Sequence, residues 1–202
     1  MNQEVLDVAF ENNLDDEAID QLKRALSYFG EDVQFHEVPK SGPQASILLL
    51  GFTSIALVFG GAFVKKLGDK AAEDCYPHIK SALSKIYEKY FGKHPKYKIR
   101  IITTSENKSP DTKYSLVFAL YCVGQENERV KFLYETEWSE EQFEMATALY
   151  IRSMIDFVGS GTGAVKDLLA NNPPRIQPYL VAWDADSNLL VKGSALPENV
   201  QI

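Results

Sequence analysis

The chain has 202 residues, 45% hydrophobic and 24% charged, the balance of a folded globular protein and not of a chain disordered along its whole length. Its net charge of -7 argues against a general affinity for nucleic acid backbones, which need clustered Lys and Arg. The charge is uneven: residues 1–40 carry -7, residues 65–113 carry +6 and residues 114–202 carry -6, so the middle is a basic island.

In chain order, EVLDVAF (4–10) puts Leu6, Val8 and Phe10 on one face of a short strand, with Val5, Asp7 and Ala9 on the other. A helix follows. Leu14 and Ile19 form a hydrophobic staple around Asp15 at the N-cap, Asp16 and Glu17 suit the positive end of the dipole, and Gly30 stands at the C-cap. Ile19, Leu22, Leu26 and Phe29 make its buried stripe. DVQFHEV (32–38) is the second strand, ended by Pro39, Gly42 and Pro43.

Next come twenty residues without a charge, Ala45 to Val64, followed by Lys65 and Lys66. At the helical rise they would span about 30 Å, the thickness of a hydrocarbon core. Gly51, Gly60, Gly61, Ser46, Thr53 and Ser54 make the run only marginally hydrophobic, so the expectation is a helix buried in the protein, with a membrane-spanning helix as the alternative. If the run spans, Lys65, Lys66 and the basic island lie on the cytoplasmic side.

Tyr76, Ile79, Leu83, Ile86 and Tyr90 then recur at helical spacing, with Lys85, Lys89 and Lys93 at the negative end and Gly92 and Pro95 as the stop. Pro77 begins this helix or kinks it. From Tyr97 the period changes to two. YKIRIITT, KYSLVFALYCV and ERVKFLYETEW predict a three-stranded antiparallel meander. Trp138 and Phe143 bracket Ser139, which forms a capping box with Gln142 and starts a helix reaching about Val158. Its core-facing residues are Phe143, Thr147, Tyr150, Met154 and Phe157, with Glu141, Glu144 and Arg152 looking outward. A glycine-rich turn, a short helix near 164–170 and a hairpin of YLVAWD and NLLVKG complete the chain.

This order predicts an α+β fold: an N-terminal β-α-β unit with the apolar and amphipathic helices over residues 1–92, then a meander, helix and hairpin over 97–202, with one core or two left open. No metal, cofactor or catalytic constellation emerges. Cys75-x-x-His78 is half a zinc site, and Asp184-x-Asp186-x-Asn188 lacks the later glycine and glutamate of a calcium loop and reads as a hairpin turn. Gly159–Gly163 follows a helix and lacks the Lys-Ser/Thr of a phosphate loop. Cys75 and Cys122 are expected as unpaired thiols in a cytoplasmic protein, since the acidic N-terminus resembles no secretory signal. Lys65, Lys66, Lys85, Lys89 and Lys93 are the candidate contacts to a membrane or other anionic surface.

The first 67 residues carry a further signal. Pro39, Gly42 and Pro43 lead from the second strand into an apolar segment holding Gly60-Gly61 and ending in Lys65 and Lys66. In this outline the chain resembles the small effector-associated constant-component domains of bacterial conflict systems. The resemblance covers about a third of the chain, departs from the pattern in the long helix and strand-rich half that follow, and brings no catalytic residues. It implies a non-enzymatic interaction or signal-coupling module. The expected function is therefore contact with a protein partner. The alternative is an inner-membrane-associated effector or anchor using 45–64 and the basic island, and the third reading is an enzyme with an unrecognised site.

Overall fold

The computed structural model describes residues 5–12, 14, 16–39, 53–68, 72–97, 113–171 and 177–193. Within them a mixed seven-stranded sheet has the order β2-β1-β3-β4-β5-β6-β7. Its strands are β1 (Leu6–Glu11), β2 (Val33–Val38), β3 (Ile55–Phe59), β4 (Tyr114–Val123), β5 (Arg129–Glu135), β6 (Tyr179–Asp184) and β7 (Leu189–Lys192). The helices are α1 (Asp16–Leu26), α2 (Gly61–Gly68), α3 (Ala72–Tyr90), α4 (Glu140–Met154) and α5 (Ala164–Asn171). The fold is α+β.

The expected β-α-β unit is present, with β1 and β2 parallel and joined through α1. Helix α1 ends at Leu26, earlier than the predicted cap, and a 3-10 turn over Ser27–Asp32 carries Gly30 at φ 54°. The apolar run is a correction to the expected buried helix. Its described part is strand β3, then Gly60, then the start of α2; residues 45–52 lie outside the described residues. β3 is antiparallel to β1 and parallel to β4, so it is a central strand, and all five of its residues are buried. A strand covered on both faces reads as an unbroken apolar stretch without alternation, which is why it imitates a buried helix. Ile55, Val58 and Phe59 have the branched and aromatic side chains that pack well on a pleated surface. No helix among the described residues is long and apolar enough to cross a membrane.

The meander is also corrected. β4 and β5 form the expected antiparallel pair, but over Phe118–Cys122 the other neighbour of β4 is β3. Most of the predicted first strand, 97–104, lies outside the described residues. β6 joins the sheet parallel to β5 and turns back through the expected hairpin into β7.

The β3–β4 pairing brings both halves of the chain into one sheet, and the main hydrophobic cluster draws on both. Cross-strand partners share a face, so Val8, Leu57, Leu120, Phe132 and Val181 form one apolar row. Over that face pack Leu22 of α1, Phe63 of α2, Leu83 of α3, Tyr150 of α4 and Val165 of α5. The predicted stripe of α4 is buried throughout, from Phe143 to Phe157. Ser139 and Gln142 form the expected capping box, with Gln142 N–H donating to Ser139 Oγ at 3.2 Å and Ser139 N–H donating to Gln142 Oε1 at 3.0 Å. After Met154 the helix widens into a π-helical turn, Ile155–Ser160, closed by Gly161 at φ 69°. Gln125, in the β4–β5 turn, donates to the carbonyls of Val158 and Gly159 and ties that turn to the helix end.

Candidate functional site

The outer surface of the helical layer carries an apolar groove of ≈ 430 Å³. α4 supplies one wall through Ala148, Ile151 and Arg152, and Ile155 of the π-helical turn continues it. Leu67 from the end of α2 and Tyr76 and Pro77 from the early turns of α3 supply the rest. α2 comes close to Ile155: a Cβ added to Gly68 would lie 3.0 Å from Ile155 Cγ2. Glu144 beside the groove is held by Lys80 at 3.0 Å. Burial pushes the Tyr76 hydroxyl above its ordinary pKa, with Lys80 pulling it the other way. Met145 stands exposed on the same helix. The lining is apolar with a single formal charge, Arg152.

The face of the sheet away from the helices is built differently. Alternation along β1 places Asp7, Ala9 and Glu11 there, and one row across the sheet holds Asp7, Val58, Tyr121 and Lys131. Asp7 is bound by His36 Nε2 at 3.0 Å, and Ser54 Oγ donates to Glu11 at 3.0 Å. Lys131 is wholly buried, with its Nζ 5.4 Å from the centre of the Tyr121 ring. Burial pulls the Lys131 amine down to about 7 and pushes the Tyr121 hydroxyl up to about 12, the latter opposed by a hydrogen bond with Thr53. An amine near neutrality is a base and a nucleophile. Lys131 is 0% exposed and so is closed off from solvent. Among the described residues no group of His, Cys, Asp and Glu is arranged to hold a metal ion.

The candidate surface lysines fall into two places. Lys65 and Lys66 are exposed on α2, near the start of α3, where Leu67 shares the groove with Tyr76 and Pro77. Lys66 is paired with Asp32 at 2.7 Å. Lys85, Lys89 and Lys93 lie at the other end of α3, roughly 20 Å along its axis at 1.5 Å per residue. There Lys85 pairs with Glu88 at 2.8 Å, and the buried Lys89 reaches Glu17 at 3.4 Å. Lys93 is exposed. The structure does not gather the five into one patch.

Other marked residues have local roles. His78 stacks on Tyr28 with ring centres 4.0 Å apart, and the side chain of Cys75 lies outside the described residues. Cys122 is a buried free thiol whose pKa burial raises. Asp184 accepts from Asp186 N–H and Ser187 Oγ, as a hairpin turn requires. Lys166, beyond the glycine turn, binds Glu126 and Glu128. Sequence reasoning missed the groove because its walls come from three helices. It also missed Lys131, although the alternation of Val130, Phe132 and Tyr134 does assign that lysine to the opposite face. The chain matches no family model, no curated protein and no solved structure.

Proposed function

We propose that this is a non-enzymatic interaction or signal-coupling protein of the bacterial conflict-system kind, working through contacts made by the outer surface of its helical layer. The observation that carries the reading is the apolar groove between α2, α3 and α4, rimmed by Arg152. Apolar surface held open between helices is the form in which helical bundles receive a partner's anchor residues. The resemblance of the first 67 residues to effector-associated domains supplies the biological setting. The basic residues support protein contact over lipid contact, because Lys66, Lys85 and Lys89 already face carboxylates.

A photo-crosslinking residue at Ala148, inside the groove, tests this in the cells from which the protein comes. The same residue at Glu126, in the β4–β5 turn, is the control. A discrete protein adduct at 148 and none at 126 is the expected result. Adducts of lipid alone, or no adduct at 148, would overturn the reading.

A further inference from the structure

α4 turns four residues away from the core at the spacing i, i+4, i+7, i+11: Glu141, Met145, Ala148 and Arg152. All four are exposed and lie on one narrow stripe of the helix. Met145, 53% exposed, is one of the few large apolar side chains left in the open among the described residues. Neither Glu141 nor Arg152 makes an ion pair within the described residues. Eleven residues apart, they are separated by about 16 Å along the helix and cannot pair with each other in one chain.

The stripe is its own complement. Glu141 with Arg152 and Met145 with Ala148 are two pairs that share one midpoint, between Ala146 and Thr147. A twofold axis through that midpoint sets a second α4 antiparallel to the first. Each Glu141 then meets Arg152 of the second copy, and each Met145 lies over Ala148 of the other chain. Such an isologous contact is the commonest form of protein self-association. The small Ala148 lets the helices approach. Ala148 also lines the groove, together with Ile151, Arg152 and Ile155 of the same side of the helix. Met145 is long, flexible and apolar enough to enter the groove.

We infer that a second copy of this chain covers the outward face of α4, forming a twofold dimer locked by reciprocal Glu141–Arg152 pairs with Met145 seated in the groove. This rests on the proposed function and names the occupant of its groove; a monomeric wild type that still gives a protein adduct at 148 overturns the dimer and not the groove's role in contact.

Sedimentation equilibrium on the wild type, on Glu141→Arg, on Arg152→Glu and on an equimolar mixture of the two variants tests it. The wild type is expected to reach twice the monomer mass. Each single variant places two like-charge pairs in the interface, and its dimer should dissociate about tenfold more readily or worse. The mixture restores both opposite-charge pairs and should recover the dimer. Both substituted residues are exposed, and far-UV circular dichroism confirms that the variants fold. Ala148→Trp, which fills the position facing Met145 without changing charge, should also weaken the dimer. A monomeric wild type, single variants as dimeric as wild type, or a mixture that stays monomeric would each overturn the inference.

Discussion

Lys131 faces away from the helices, in register with Tyr121 on β4 and Leu180 on β6. A free lysine titrates at 10.5, and burial brings this one to about 7. Between those values the unfolded chain holds a proton that the folded chain releases. The group therefore makes the fold more stable as pH rises through that window, by at most about 1.4 kcal/mol per unit. Below the folded value both states are charged and the dependence vanishes. The raised pKa of Cys122 acts in the opposite sense once an unfolded thiol ionises, near 9, so the clean interval is pH 7 to 8.5. Urea denaturation should show wild-type stability rising across that interval and Lys131→Met flat. Parallel slopes for the two proteins would remove Lys131 from the account.

Helix α4 shows how much of an element the sequence makes legible. The alternation of apolar residues places Phe143, Thr147, Tyr150, Met154 and Phe157 on the buried face, and Ser139 with Gln142 at its start, because helical spacing and cap chemistry are local. Phe157→Ala should cost roughly 3 to 5 kcal/mol for the cavity it leaves. Glu144→Ala loses only the partly exposed pair with Lys80 and should cost under about 1 kcal/mol. Denaturant melts compare the two, and equal losses would mean the stripe is misassigned. Ser139→Ala removes a reciprocal cap and should cost about 1 kcal/mol, whereas a loss of zero would leave the capping box without energetic weight. The π-helical turn after Met154 was not legible. Its contacts are long-range: Gln125 bonds the carbonyls of Val158 and Gly159, 33 and 34 residues later, and α2 lies against Ile155. The groove shares that origin in long-range packing.

Across the whole molecule, the largest misreading concerned the apolar run. Local composition could not separate a helix from a strand buried on both faces, since both erase the polar positions that mark a period. Pairing partners distant in sequence decide it: β1 on one side and β4 on the other hold Ile55–Phe59 in the middle of the sheet. The β-α-β unit was legible because its strands are short, alternating and bounded by breakers. The order of β3 between β1 and β4 was not, because nothing local encodes a neighbour some sixty residues away. With β3 inside the sheet, the helical layer is seated over its apolar row and the outward side of α4 is exposed. Native-state hydrogen exchange of the amides from Ala56 to Val58 tests this placement most directly. Protection as strong as that of Phe118 to Leu120, released only by global unfolding, is the predicted result. Rapid exchange of that segment while β4 stays protected would contradict it.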